Sequence, residues 1–127
     1  MRIHPSDACD LGSSFVGASG FLVLPLGWAD TGAFGAAVLD LCLVACGSLD
    51  GYVDCRGSDA HGVWDYAGAL LAPRQAGAVV TDAAGRDLVL DHESRRTPVA
   101  AATPDLLEQL LESRRRSVDD GTRHRTP

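Results

Sequence analysis

Between residues 64 and 82 the chain reads Trp64-Asp65-Tyr66-Ala67-Gly68-Ala69-Leu70-Leu71-Ala72-Pro73-Arg74-Gln75-Ala76-Gly77-Ala78-Val79-Val80-Thr81-Asp82. Its first part has the alanine and leucine content of a helix, which we expect to run to about Gln75. Asp65 is well placed to cap the free amides at the start of this helix, and Gly77 is a candidate C-cap at its end. Pro73 should kink or shorten the helix, because proline lacks the amide hydrogen that a helix needs.

Strands and a second helix follow in the sequence. We expect strands over residues 78–81 and 87–90, joined by a turn that begins at Asp82, so that they form a hairpin. A further strand is predicted over residues 98–102, and Thr103 then caps a helix whose first residue is a proline. Leucines give that helix an apolar face; they are Leu106, Leu107, Leu110 and Leu111.

Upstream of residue 64 the pattern alternates in the same way. Residues 14–26 mix short apolar runs with glycines, which predicts one or two short strands. Residues 31–45 carry alanine and leucine at helical spacing and predict a buried helix, and residues 52–55 predict a strand. Because strands alternate with helices along the chain, the sequence predicts an α/β fold with helices packed on a sheet.

Length and composition fit one folded domain. The chain has 127 residues, of which 46% are hydrophobic, and this is enough for a core of its own. We expect the domain to occupy residues 1–118 and the charged residues 119–127 to be a disordered tail. The net charge of −6 argues against nucleic acid as a partner, because phosphate backbones attract basic surfaces.

The longest apolar run, residues 33–47, is too short to cross a membrane and contains Asp40, so no membrane partner is expected. Within an apolar helix Asp40 needs a buried hydrogen bond, and we assign it a structural role. Cys42 and Cys46 lack the spacing of a zinc site and are expected to be small buried hydrophobic residues. With no signal peptide in view, the sequence favours a cytoplasmic location.

The ordered blocks resemble the C-terminal signature of the inositol monophosphatase family, in which Trp-Asp begins a helix and a strand with an Asp-x-x-Gly turn follows. Trp64-Asp65 and Asp82-Ala83-Ala84-Gly85 match those two motifs. Residues 35–45 are similar to the family's Gly-Ser-Ala-Ala helix, and residues 49–54 to the segment after it. The resemblance runs from about residue 12 to about residue 115, and it covers only the C-terminal half of the family's pattern.

This resemblance implies a fold, a reaction and three site residues. The family fold is an α/β/α/β/α sandwich with a mixed sheet and flanking helices, and this chain would supply its C-terminal layers. The family reaction is hydrolysis of a small phosphate ester, such as an inositol phosphate, with magnesium as the cofactor. Asp65 matches an aspartate that ligates magnesium. Asp54 matches an acidic position that binds substrate hydroxyls, and Ala37 matches a position whose backbone touches the substrate.

The chain departs from the family chiefly in what it lacks. The family's other metal ligands lie in a glutamate and an Asp-Pro-Ile-Asp-Gly-Thr run, which have no counterpart here, so no catalytic residue is assigned. One carboxylate, Asp65, cannot fix Mg²⁺, which prefers six oxygen ligands in near-octahedral geometry. We therefore expect the chain alone to be inactive or nearly so.

Three interpretations stay open at this point. The chain is the C-terminal part of a magnesium-dependent phosphatase, or an inactive remnant kept as an interaction or oligomerisation module, or a fragment with no function of its own. Half of a sandwich would expose an apolar face, and family members are commonly homodimers. The resemblance therefore implies a homodimer, or association through that face.

Overall fold

A computed structural model describes the backbone of residues 3–19, 30–32, 37–54, 61–86, 88 and 95–125, and the side chains of residues 3–18, 39–54, 70–86, 88 and 96–116. Within these residues the chain forms seven strands and three α-helices. In chain order they are β1 (Phe15–Ser19), β2 (Asp30–Gly32), α1 (Ala37–Ala45), β3 (Gly51–Asp54), β4 (His61–Gly62), α2 (Val63–Ala76), β5 (Val79–Asp82), β6 (Arg95–Arg96), β7 (Pro98–Ala101) and α3 (Pro104–Arg125).

Five of the strands form one mixed sheet in the order β2-β1-β3-β7-β5. β2, β1 and β3 are parallel to one another. β7 is antiparallel to both of its neighbours, β3 and β5, so β5 runs in the same direction as β3. The short strands β4 and β6 pair separately. A mixed sheet with flanking helices confirms the predicted α/β class.

The helices cover the two faces of this sheet unequally. Because successive side chains of a strand point to opposite faces, Tyr52 of β3 packs on the α1 and α2 side, whereas Val53 packs against α3. The first cluster consists of Leu41, Val44, Leu49, Tyr52, Leu70, Ala78, Leu88 and Ala100. The second consists of Val16, Ala18, Val53, Val99, Ala101, Leu106, Leu107 and Leu110. The two cores lie on opposite sides of one sheet.

Hydrogen bonds tie the N-terminal segment, residues 4–14, to the sheet and to α3. Ser6 Oγ donates to Asp50 Oδ1 at 2.6 Å, and the other oxygen of Asp50 accepts the amide of Phe15 at 2.8 Å. From α3, Gln109 accepts the amide of Leu11 and donates to the carbonyl of Cys9, both at 2.8 Å. Residues at opposite ends of the sequence are thus held together directly.

The helix predicted over residues 31–45 begins later than expected. Asp30–Gly32 form the edge strand β2, residues 33–36 lie outside the described part, and α1 begins at Ala37. The physical reason is pairing with β1, in which Val16 lies opposite Thr31 and Gly17 opposite Gly32. Sheet pairing of this kind overrides local helical spacing.

The helix α2 begins two residues before Asp65, so Asp65 lies in its first turn instead of capping it. Pro73 was predicted to kink or shorten this helix; the helix continues past it to Ala76, so it is not shortened, and a kink stays a prediction. Gly77, with φ +103°, then closes it as predicted. The amides of Gly77 and Ala78 both donate to the carbonyl of Pro73, at 3.1 and 2.9 Å. The carbonyl of the proline therefore helps to end the helix although its nitrogen cannot donate.

The C-terminal elements agree closely with the sequence. β5, the turn after Asp82 and β7 lie where they were predicted, and the Thr103 hydroxyl accepts the amide of Leu106 at 3.3 Å as a helix cap. The second strand of the expected hairpin, residues 87–90, lies outside the described part except for Leu88, which is buried.

Helix α3 continues to Arg125, so residues 119–125 are helical where a disordered tail was expected. Once a helix has nucleated, each further residue adds a backbone hydrogen bond, so a charged sequence can extend it. Arg115 and Arg116 also pair with Glu112 one turn earlier. The domain boundary at residue 118 stays a prediction. None of the described helices combines the length and the apolar run that crossing a bilayer requires.

Candidate functional site

The parallel strands end at one edge of the sheet. Ser19, the last residue of β1, lies opposite Asp54, the last residue of β3. β2 is parallel to both and ends at the same edge. In open α/β sheets ligands bind outside the carboxyl ends of the parallel strands. This carboxyl edge is therefore where a binding site is expected.

Both helices on the Tyr52 side of the sheet start at the carboxyl edge. α1 connects the end of β2 to the start of β3, so it must cross the sheet from the carboxyl edge to the amino edge. α2 connects β3 to β5, which runs in the same direction, and it crosses in the same way. The first amides of a helix have no intrahelical acceptor and carry the positive end of its dipole. Two such helix starts face one edge.

The fold thus brings the backbones of the three predicted site residues to this edge. Ala37 is the first residue of α1, Asp54 is the last residue of β3, and Asp65 lies in the first turn of α2. The side chains of Ala37 and Asp65 lie outside the described part, so their predicted roles stay predictions.

Asp54 is fully buried, with an exposed fraction of 0%. By the alternation of the strand its side chain is on the same face as Tyr52, which is the face of α1 and α2. Its backbone carbonyl accepts a hydrogen bond from Arg114 Nε at 2.7 Å. Because Arg114 belongs to α3, the end of β3 is fixed from the opposite face of the sheet.

Asp82, at the carboxyl end of β5, is fully buried and has a structural role. Its Oδ2 accepts Arg86 Nε at 2.8 Å and the amide of Ala84 at 3.0 Å, while Oδ1 accepts the amide of Thr97 at 2.9 Å. Burial raises the pKa of this carboxyl, but hydrogen bonds from Arg86, Thr97 and Ala84, with the charge of Arg86, outweigh burial and lower the pKa. The sequence predicted a turn at Asp82, with which the bond to Ala84 agrees, whereas the bonds to Arg86 and Thr97 were not predicted.

Asp40 contradicts the prediction of a buried hydrogen bond. Its exposed fraction is 0%, and neither carboxylate oxygen has a hydrogen-bond partner among the described residues. Burial raises the pKa of Asp40 from 3.8 to about 6. The residue lies one turn after Ala37 and faces the sheet at Gly17 of β1. A carboxyl group inside an apolar run was the signal that the sequence offered.

Cys42 and Cys46 also differ from expectation, because both are exposed. α1 turns Leu41 and Val44 toward the sheet, which leaves the two cysteines on the opposite side of the helix. The Cys46 thiol contacts the Ser48 hydroxyl at 3.4 Å, and hydrogen bonds from Ser48 lower its pKa.

The described side chains do not complete a magnesium site. No group of three or more histidine, cysteine, aspartate or glutamate side chains among them could hold a metal ion. Asp82 already has four hydrogen bonds and lies in a turn that it organises. Asp65, whose side chain lies outside the described part, is the carboxylate that the family resemblance assigns to magnesium, and one carboxylate does not satisfy the coordination that Mg²⁺ requires.

The model of the inositol monophosphatase family matches residues 21–119 of the chain. This match covers well over half of the sequence, and the chain belongs to the inositol monophosphatase family. The matched residues include α1 and α2, which lie on one face of the mixed sheet.

Individual relatives give the same result over part of their length. The chain is 40% identical over 78 residues to inositol-1-monophosphatase ImpA of Mycolicibacterium smegmatis, which is 61% of this chain and 25% of ImpA. It is 39% identical over 88 residues to inositol-1-monophosphatase SuhB of Mycobacterium tuberculosis, which is 65% of this chain and 25% of SuhB. The solved structure of the latter superposes with a TM-score of 0.68, over 90% of this chain and 45% of its own.

The IMPase of Thermotoga maritima shares the fold, with a TM-score of 0.78 at 18% identity over 94% of this chain and 47% of its own. The chain spans less than half of these solved relatives. These overlaps confirm the prediction of a partial family member.

Proposed function

We propose that the chain carries part of the active site of a phosphomonoesterase that hydrolyses a small phosphate ester, an inositol phosphate or a similar compound, with magnesium. One observation supports this most directly: the starts of α1 and α2 and the end of β3 lie at the same edge of the sheet. Membership of the inositol monophosphatase family supports the reaction class.

The three residues at the edge suit different parts of such a substrate. The amide of Ala37, at the start of α1, has no acceptor within the helix and lies at the helix's positive end, where phosphate groups bind. Asp54 at the end of β3 carries a carboxylate, which accepts hydrogen bonds from hydroxyl groups.

Asp65, in the first turn of α2, is proposed as a metal ligand. When bound, magnesium would supply positive charge to the phosphate group and lower the pKa of a coordinated water. The described side chains supply no further ligand group, and we propose that the remaining ligands come from the part of the family fold that this chain does not span. We therefore propose that the chain alone turns over little or no substrate.

The test measures phosphate release from inositol phosphate with Mg²⁺, by the chain alone and by a chimera. The chimera joins this chain to the part of Mycobacterium tuberculosis SuhB that it does not span. We expect activity from the chimera, little from the chain alone, and at least a hundredfold loss in the chimera with Asp65→Asn.

The matched control is Asp105→Asn in the chimera. Asp105 is an exposed aspartate in the first turn of α3, on the other face of the sheet, so Asp105→Asn makes the same chemical change in the first turn of a different helix. If a folded chimera released no phosphate, or if both variants lost activity equally, the proposed role of Asp65 would be wrong.

A second candidate is an inactive module that acts by association, either with another protein or as a homodimer. It is favoured by the lack of a complete metal site among the described side chains, together with large apolar side chains that are exposed on α1 and α2. Sedimentation of the isolated chain separates the two states, since a homodimer doubles the mass and a monomer excludes this form of the proposal.

A further inference from the structure

Arg114 is a positively charged residue on the side of α3 that packs against the sheet. Residues four apart on a helix lie on one side of it, and Arg114 follows Leu106 and Leu110 at this spacing. Both leucines are fully buried in the cluster that α3 forms with the sheet. Arg114 itself is half-buried, whereas the next residue, Arg115, is exposed and pairs with Glu112. The helix therefore directs the Arg114 side chain at the sheet.

The Arg114 guanidinium meets the sheet at the last residue of β3. Its Nε donates to the backbone carbonyl of Asp54 at 2.7 Å, a length typical of a bond from a charged donor. β3 and β7 pair antiparallel, with Gly51 opposite Ala101. Continued to the end of β3, this register would place Pro98 opposite Asp54. Proline has no amide hydrogen to donate, and Arg114 supplies a donor to this carbonyl from α3.

The same residue of β3 carries the carboxylate that is proposed to bind substrate hydroxyls. The Asp54 side chain is fully buried and lies on the face of α1 and α2, opposite to α3. The carbonyl and the side chain of a residue leave adjacent atoms of one backbone. A hydrogen bond that fixes the carbonyl of Asp54 therefore also fixes the direction in which its carboxylate leaves the strand.

We infer that Arg114 is a positioning residue, which orients the Asp54 carboxylate toward the hydroxyl groups of a polyol phosphate from the opposite face of the sheet. The inference rests on the proposed function, in which Asp54 accepts hydrogen bonds from those hydroxyls. Arginine suits this role because its guanidinium is planar and always charged, so its Nε donates in a fixed direction. Arg114 acts through Asp54 and not by touching the substrate.

The first test compares two ligands of the chimera described above, inositol phosphate and inorganic phosphate, which has no polyol hydroxyls. Arg114→Ala should raise KM for inositol phosphate about tenfold and leave kcat nearly unchanged, because the contact it weakens is made before and during the reaction. The inhibition constant of inorganic phosphate should not change. Arg114→Lys should keep part of the affinity, since lysine retains a charged donor without the planar geometry. Arg115→Ala is the matched control and should leave both constants unaffected.

A double-mutant cycle shows whether Arg114 acts through Asp54. In the chimera with Asp54→Asn, adding Arg114→Ala should raise KM far less than it does in the wild type, because the carboxylate that Arg114 orients is gone. Circular dichroism shows whether each variant is folded. An unchanged KM in Arg114→Ala would overturn the inference. So would equal weakening of inositol phosphate and inorganic phosphate, or an effect of Arg114→Ala that is as large with Asp54→Asn, since either result indicates a general structural role.

A binding measurement without turnover separates this inference from the proposed function. The probe is myo-inositol, which has hydroxyls and no phosphate, titrated into the full 127-residue chain and followed by NMR. We expect weak, saturable binding that Arg114→Ala weakens about fivefold and that Arg115→Ala leaves unchanged, as for the loss of one hydrogen bond. An inactive folded chimera with this binding pattern would refute the phosphatase and leave the positioning role standing. An active chimera, with KM and inositol binding both insensitive to Arg114→Ala, would do the reverse.

Discussion

The carboxyl group of Asp40 on α1 lies against the backbone of Gly17 on β1. A Cβ atom at position 17 would be 3.3 Å from both Cγ and Oδ1 of Asp40, and 2.8 Å from Cδ1 of Leu49. The acid reaches this buried position because Gly17 has no side chain. The contact places a titratable group between a helix and the sheet. Neither oxygen of this group has a hydrogen-bond partner among the described residues.

Asp40 should make the protein less stable as the pH rises. Because its pKa is about 6 in the folded state and 3.8 in the unfolded chain, the folded state favours the protonated form. The stability that this preference contributes is complete below pH 3.8 and is lost as the pH rises to about 6. The change amounts to about 3 kcal/mol at most, at 1.36 kcal/mol per unit.

Asp40→Asn should remove this loss. Urea unfolding at several pH values should show the variant gaining stability relative to the wild type between pH 4 and pH 6, with a constant difference above pH 7. Cys42→Ser, on the exposed side of the same helix, is the control and should keep the pH dependence of the wild type. A constant difference between Asp40→Asn and wild type across this range would show that Asp40 has an ordinary pKa.

Gly17→Ala should destabilise the protein by about 1–3 kcal/mol, because the new methyl group overpacks a filled core. The nearest atom is Cδ1 of Leu49, a buried side chain that cannot move away freely. Adding Leu49→Ala should relieve part of this cost, so a double-mutant cycle should give a coupling energy above about 0.5 kcal/mol. Additive effects of the two substitutions would contradict the contact.

Asp82→Asn should cost about 2–3 kcal/mol, because a neutral amide cannot replace the carboxylate that accepts from Arg86, Ala84 and Thr97. The sign of its pH dependence is opposite to that of Asp40. Its lowered folded pKa contributes stability above the unfolded value of 3.8, and this is lost as the pH falls through the folded pKa.

Acid unfolding, monitored by circular dichroism, tests the predicted pH dependence of the stability that Asp82 contributes. Asp82→Asn should flatten the loss of stability below pH 4. Arg86→Gln should flatten it less, because the amides of Thr97 and Ala84 still favour the charged form of Asp82. Equal effects of the two variants would mean that Arg86 alone sets the pKa.

Gln109→Ala should loosen the N-terminal segment without disturbing the sheet. It removes the acceptor of the Leu11 amide and the donor to the Cys9 carbonyl, which we expect to cost about 1–2 kcal/mol. Hydrogen exchange of the Leu11 amide should accelerate at least tenfold, while the β3 amides keep their protection. Glu108→Ala, an exposed neighbour on the same helix, should leave the exchange at Leu11 unchanged.

Local signals predicted the elements whose ends are set by local chemistry. Thr103 caps α3 through its own hydroxyl and Gly77 ends α2 through its positive φ, so both positions were readable from the sequence. The start of α1 was not, because pairing with β1 makes a strand of residues 30–32. The sequence also did not predict which face of α1 packs on the sheet. In a helix that is apolar all round, the sequence pattern does not identify the buried face, which is why Cys42 was expected to be buried.

The candidate site depended on resemblance more than on local pattern. Nothing in the immediate sequence separates Asp65 from an ordinary aspartate at a helix start, and Ala37 has no functional side chain at all. The topology adds an independent reason to consider them together with Asp54, since it brings all three backbones to one edge. Which strands lie side by side cannot be read from a single sequence, so this grouping needed the fold.

The bonds from Gln109 to residues 9 and 11 also bear on how the protein is made. These partners are 98 and 100 residues apart, so a ribosome must synthesise and release Gln109 before residues 9 and 11 can bond to it. Contacts of such high sequence separation form slowly, because a long loop must close first. Until then, the growing chain presents unpaired strands to its surroundings, which is when aggregation is most favoured. Chaperone demand during synthesis should therefore fall sharply once α3 emerges.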